Sequence, residues 1–156
     1  PARNSLEAAL TLLFVYGTLR DPDLLTAVLG RPLAAGEALA AVAPGFGATY
    51  YPNRIYPALL RAPGGAGEGL LLTSLSPFEM DLLDQFEGTE YFRSIIPVMI
   101  DDELHEAPAY LPSIIVAGGD PWSRERWQAA HKVDALAADA VQAEDLRRRL
   151  IAVRPN

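Results

Sequence analysis

One carboxylate, Glu87, falls where a helix ordinarily presents an apolar side chain. Ser76-Pro77-Phe78-Glu79 has the form of a capping box with proline at the first helical position, so a helix starts there and Gly88 stops it. On a wheel of about 100° per residue from Phe78, Glu87 lands between Leu83 and Met80, on the inward arc. Glu79 shares that arc, but the capping box accounts for it. Nothing local accounts for a carboxylate in the last turn, beside the negative end of the helix dipole, and burial and dipole both raise its expected pKa. A carboxyl held nearer neutrality can take up a proton and return it, which is what general acid–base catalysis asks of one group. The plain alternatives are a fraying helix end or an ion pair with Arg93.

A second candidate is Tyr16-Gly17-Thr18-Leu19-Arg20, placed where a strand gives way to a helix N-terminus. Such junctions present unpaired backbone N–H groups toward a cleft and suit an anion. Gly17 lets the backbone approach a ligand, and Thr18 adds a hydroxyl; the plain reading is a turn. Tyr91 and Arg93 alternate with Phe92 on a predicted strand, so they share a face near the end of the preceding helix, or simply pack there. Tyr56, before Pro57, and Tyr110 are strand tyrosines whose hydroxyls can reach a cleft, although a packed ring is the commoner use. Asp84 reads best as a solvated charge, and Trp122 and Trp127 as core. His105, in a predicted turn, and His131, in a predicted helix, lack ligand spacing and read as surface histidines.

These residues need elements to hold them. Thr11 to Tyr16 reads as a buried strand, Asp21-Pro22 opens a helix closed by Gly30, and Ala38 to Val42, Ala48 to Tyr51, Tyr56 to Arg61 and Glu68 to Leu75 read as strands. Pro63 to Gly69 reads as a hairpin turn. Tyr91 to Ile100 and Ala109 to Val116 follow as strands across a polar turn at Asp101 to Glu106, and Asp120-Pro121 opens a helical C-terminal third. Most strands are linked by turns rather than helices. The expectation is therefore an α+β fold, a mixed, mainly antiparallel sheet or barrel with a few flanking helices.

The chain has 156 residues, half of them apolar, which predicts one domain over 1–156 with enough core to need no staple. With no cysteine, disulfides and thiolate chemistry are excluded, and a reducing compartment is natural. No apolar run approaches ~18 residues and the N-terminus lacks a signal pattern, so the expectation is a soluble, cytoplasmic protein without a membrane segment. A net charge of −7 argues against nucleic acid. Nine carboxylates and one Arg lie between Glu79 and Glu106, whereas four Arg and no acid follow Asp145. This contrast suits a complementary contact in a homodimer, or two solvated charge runs; Arg147, Arg148 and Arg149 also suit a helix C-terminus. Lys132 is the sole lysine, a bias that fits a GC-rich bacterial genome. Nucleophile elbows, HExxH, P-loops and GxGxxG are absent from the sequence.

Taken together, Tyr16-Gly17-Thr18-Leu19-Arg20, Tyr56-Pro57, Leu83-Asp84-Gln85-Phe86-Glu87-Gly88, Tyr91-x-Arg93 and Tyr110 resemble the gamma-glutamylcyclotransferase-like superfamily. The likeness spans roughly Leu12 to Leu111 and points to short bacterial members and the gamma-glutamylamine cyclotransferase branch; the helical segment from about 120 diverges. It implies a small mixed barrel in which Glu87 is catalytic and Tyr16, Gly17, Thr18, Leu19, Tyr56, Tyr91, Arg93 and Tyr110 bind substrate, with no cofactor and no metal. The implied reaction is attack of a substrate α-amine on its own γ-glutamyl carbonyl, which releases 5-oxoproline and an amine or peptide. A non-catalytic small-molecule or partner-binding protein retaining the pocket is the alternative. The acidic Asp21-Pro22-Asp23 after the loop departs from the family pattern.

Overall fold

A strand buried on both faces reads as an unbroken apolar run, and β1, Leu13–Val15, is such a strand. Leu13 and Val15 face a layer of helices, while Phe14 and the following Tyr16 face the interior of the sheet. The computed structural model describes residues 12–153; Thr11, the expected first strand residue, and Arg154 of the basic tail lie outside them. The other strands are β2, Ala38–Tyr50, β3, Pro57–Leu72, β4, Tyr91–Ile100, and β5, Glu103–Pro112. The helices are α1, Pro22–Leu29, α2, Pro77–Glu87, α3, Arg124–Ala130, and α4, Lys132–Val153, with 3-10 turns at Thr18–Arg20 and Gly88–Glu90.

The five strands run β1-β3-β2-β4-β5 and close back on β1. Every pairing is antiparallel except β1 with β5. The seams are narrow, with Val42 opposite Met99 between β2 and β4 and Phe14 opposite Ala109 between β5 and β1. The expected α+β, mainly antiparallel architecture is present. Among the described residues no helix is long and apolar enough to cross a membrane.

Four expected boundaries are corrected. Pro63 to Gly69 is not a hairpin turn: the β2–β3 register passes from Pro44 opposite Ala66 to Phe46 opposite Arg61, so residues 62–65 bulge inside one long strand and Ala66 to Gly69 stay paired with β2. The connection lies instead at 51–56. Asp101 and Asp102 both adopt positive φ, 47° and 64°, and make a tight link, which places Glu103 to Glu106 on β5 and His105 on a strand rather than in a turn. The strand ends at Pro112, not Val116. The C-terminal helices begin at Arg124, capped by Ser123, rather than at Asp120-Pro121.

The Asp21 side chain caps α1 by accepting from the N–H groups of Asp23 and Leu24 at 3.0 and 3.1 Å. It is fully buried, and it also accepts from Gln128 Nε2 at 2.9 Å and pairs with Lys132 Nζ at 3.0 Å. Burial pushes its pKa up, but the donors from Gln128, Lys132 and Leu24 outweigh this and hold it below the usual carboxylate range. At the other end of α1, Arg147 Nη1 donates to the Ala27 and Val28 carbonyls at 3.0 and 2.7 Å. Arg147 thus serves the C-terminus of α1, while Arg148 and Arg149 pair along α4 with Glu144 and Asp145. Trp122 and Trp127 are core, and the capping box of Ser76 and Glu79 forms as expected. Asp21→Ala is expected to cost about 2–3 kcal/mol in urea denaturation, because a cap is lost and two donors are stranded; a loss under ~1 kcal/mol would contradict this account.

Candidate active site

The ends of β1, α2 and β5, the starts of β3 and β4, and one face of α4 converge on a cavity of about 220 Å³. It is small beside the ~300–1,000 Å³ of typical ligand pockets and suits an amino-acid-sized group. Its walls include Tyr16, Gly17, Thr18, Leu19, Tyr56, Pro57, Phe86, Glu87, Glu90, Tyr91, Tyr110, Asp139 and Gln142. Residues distant in the sequence are thereby brought together. Arg93 is not among them: its Nε and Nη2 grip Asp84 at 2.8 and 2.9 Å, outside the lining. Asp84 in turn accepts the Tyr110 hydroxyl at 2.7 Å, so it is no solvated charge but an anchor for a wall residue.

Gly17 precedes the 3-10 turn and brings no side-chain cap to it. The turn uses the Gly17 and Thr18 carbonyls, which accept from Arg20 and Asp21 at 3.1 and 3.0 Å. The N–H groups of Thr18 and Leu19, first in the turn, have no carbonyl within it. A Cβ on Gly17 would stand 2.8 Å from Pro57 Cγ, so the close approach here is between the loop and the start of β3.

The tyrosines build walls rather than offer protons. Tyr16 donates to the Tyr110 carbonyl, Tyr91 to the Pro57 carbonyl at 2.6 Å, and Tyr56 to Glu90 Oε1 at 2.6 Å. Burial first raises the pKa of all three phenols, followed by Glu87 at Tyr16, Glu90 at Tyr56 and the neighbouring Tyr16 at Tyr91, and Tyr56 is pushed up to about 12. Tyr110 is raised likewise by burial and by its bond to Asp84. The rings of Tyr51, Tyr56 and Tyr91 also pack on one another, with centroids 5.4–6.2 Å apart. Tyr56 and Tyr110 are thus packed rings that also line the cleft, with their hydroxyls held by Glu90 and Asp84.

Glu87 ends α2 half-buried on the cavity wall, and Gly88 turns the chain away with φ at 67°. Neither expected alternative applies, since the helix extends through Glu87 and Arg93 pairs with Asp84. No described residue donates a hydrogen bond to its carboxylate. Burial, then the charges of Asp139, Glu90 and Asp84, push the Glu87 carboxyl up to about 8. Glu90 and Asp139 are wall residues that the sequence reading did not single out. Glu90 Oε1 receives Tyr56 and, at 3.4 Å, Arg54, whereas its Oε2 is buried without a partner among the described residues. Asp139 is half-buried, and burial raises its pKa. A signal for it existed: Leu136, Asp139, Ala143 and Leu146 follow helical spacing, and Asp139 is the carboxylate in that otherwise apolar stripe. Among the described residues no group of three or more His, Cys, Asp or Glu is placed to hold a metal ion.

A family model described as "Gamma-glutamyl cyclotransferase, AIG2-like" matches residues 13–129. AIG2-like protein A of Arabidopsis thaliana is 31% identical over 124 residues, 76% of this chain and 73% of that protein. AIG2-like protein D of the same plant is 30% identical over 139 residues, 85% and 89% of the two chains. A solution structure of an Arabidopsis thaliana protein superposes with a TM-score of 0.61 at 27% identity, covering 82% of this chain and 87% of that one. A structure described as gamma-glutamyl cyclotransferase shares the fold, with a TM-score of 0.57 at 14% identity over 94% and 89% of the chains.

The raised Glu87 carboxyl fixes the sign of a pH effect. The folded chain keeps this proton where the unfolded chain, with an ordinary value of ~4.3, releases it, so Glu87 weakens the fold as pH rises from ~4.3 toward 8. Glu87→Gln removes this cost. Its Tm relative to the parent chain is expected to climb between about pH 5 and about pH 9 and to level off at the top of that range. Parallel Tm curves across the range would contradict the assignment.

Proposed function

The chain belongs to the gamma-glutamyl cyclotransferase, AIG2-like family, and from that premise we propose that it is an enzyme releasing 5-oxoproline from a γ-glutamyl compound, with a free amine or peptide as the second product. The observation that carries this reading is one carboxyl, Glu87, without a hydrogen-bond donor among the described residues, in the same cavity as the uncapped turn at Gly17 to Leu19. Glu87 takes a proton from the substrate α-ammonium. The freed α-amine attacks the γ-carbonyl carbon, and the resulting oxyanion is met by backbone N–H groups of the turn. As the carbon–nitrogen bond breaks, Glu87 gives that proton to the leaving nitrogen. It then takes the second proton from the new ring nitrogen and passes it to the released amine, which departs as an ammonium and leaves a lactam with one N–H, so protons balance and no further reactant is needed.

The raised value of about 8 at Glu87 suits both halves of this cycle, since it makes the carboxylate a stronger base toward the α-ammonium than an exposed glutamate while leaving the carboxyl able to give the proton up again. The cavity walls supply the rest by folding the γ-glutamyl chain so that its two ends meet. With their hydroxyls committed to protein acceptors, the tyrosines contribute shape, not protons. Arg93, expected to bind substrate, acts in this reading through Asp84 and Tyr110.

The test is a panel of γ-glutamyl amines and peptides assayed for 5-oxoproline. Glu87→Gln is expected to lower turnover by ~10²–10⁴-fold with little loss of affinity, and Asp84→Asn to do far less. Near-normal turnover by Glu87→Gln would overturn the mechanism. Release of 5-oxoproline from no member of the panel, with a ligand nonetheless held in the cavity, would favour the non-catalytic binding protein.

A further inference from the structure

On the reverse of the cavity wall, β4 and β5 leave an apolar surface that the proposed reaction does not use. Tyr91 and Tyr110 line the cavity, whereas Phe92 and Leu111, opposite one another in the β4–β5 ladder, line a second hollow of about 490 Å³. The hollow follows from incomplete closure of the barrel. β2 and β4 pair at Val42 and Met99, and past that seam the stretch of β4 from Phe92 to Ile96 has no strand on its outer edge among the described residues. Phe46, Leu59 and Ile96 of the interior core are thereby brought to the hollow as well. Among the described residues Arg61 is the one charged residue lining it, and its guanidinium lies over the Phe46 ring, 5.5 Å from the centroid.

The rim of this hollow is unusually apolar for a surface. Phe92, Ile95 and Ile114 are half exposed, and Ile115 is 100% exposed. Ile114, Ile115 and Val116 are a β-branched run of the kind that fills strands, yet β5 ends at Pro112 and the run joins no ladder among the described residues. Together these side chains expose several hundred Å² on one face, at the upper end of the ~300–600 Å² usual for the largest patch on a monomer. With a polar rim, such a patch approaches the ~800 Å² per partner that a stable dimer buries. A single Arg offers too little positive charge for a nucleic acid or an anionic membrane. A two-fold contact has the opposite requirement, since one patch must supply both protrusion and recess, and here the isoleucines and the hollow lie side by side.

We propose that this face is a homodimer interface, in which Ile114 and Ile115 of each copy fill the hollow between β3 and β4 of the other. The contact is independent of the chemistry in the cavity, although it braces the two strands that carry Tyr91 and Tyr110. It also differs from a contact between the acidic middle of the chain and the arginines of α4, because an apolar interface holds at high salt.

Sedimentation equilibrium of the intact chain, between about 1 and about 100 µM, measures the association. The parent chain is expected to dimerise with a Kd of about 1 µM or below, and to stay dimeric when salt is raised from about 0.1 to about 1 M. Ile115→Asp is expected to raise that Kd by about 100-fold or more, because a charge would be buried without a partner in the recess of the other copy. Leu104→Asp, at an equally apolar and exposed position near the other end of β5, is expected to leave the Kd unchanged. A readout without substitution accompanies these: on dilution of the nitrogen-15-labelled parent chain, amide shifts are expected to concentrate at 92–96 and 114–116. This decides the matter should the circular dichroism of Ile115→Asp depart from that of the parent. A parent chain that stays monomeric overturns the proposal and leaves the hollow to a strand or an apolar ligand of another molecule. A dimer that dissociates in salt, that Ile115→Asp leaves intact, or whose dilution shifts fall elsewhere also overturns it.

Discussion

The site depends on one buried carboxylate that is never asked to change charge. Asp21 ends the turn of residues 17–20, caps α1 and receives Gln128 and Lys132 from the C-terminal helices. Three parts of the chain are thereby fixed relative to one another: the turn that lines the cavity, the helix behind it, and α4, which carries Asp139. A buried acid with several donors stays ionised and binds its neighbours firmly, which a packed methyl group at that place could not do. The acidic Asp21-Pro22-Asp23 is thus accounted for as a helix start and a tie to Lys132.

Glu87 is the opposite case. Among the described residues it has no compensating donor, and it is withdrawn from water beside further acids, so its carboxyl holds a proton at a pH where Asp21 does not. The contrast between two carboxylates in one small fold is a contrast of partners, not of residue type. Around Glu87 the phenol protons are already committed to protein acceptors. In the proposed reaction the proton is therefore carried by Glu87 and not by a phenol, while the aromatic rings set the shape of the cavity.

Much of this was legible in the sequence where the signal is local. The capping box at Ser76, the cap and proline at Asp21-Pro22, the stop at Gly88 and the inward placement of Glu87 each follow from a few adjacent residues. The continuity of β2 and β3 was not legible, because Gly45 and Pro63 to Gly65 carry turn chemistry yet oppose one another across a ladder as a bulge. The pairing of Arg93 with Asp84, and of Asp84 with Tyr110, joins α2, β4 and β5 and leaves no mark in sequence spacing. Asp139 lay in an alanine-rich helix whose weak amphipathicity hid the stripe that it interrupts.

The central claim is that burial and surrounding charge hold a proton on Glu87 near neutrality. Carbon-13 NMR of carboxyl-labelled glutamate, with the Glu87 resonance assigned by its loss in Glu87→Gln, measures this directly. The account predicts a titration midpoint for Glu87 close to 8, set apart from the exposed glutamates of the chain. A midpoint in the ordinary range of ~4.3 would contradict it and leave the cavity without its proton carrier.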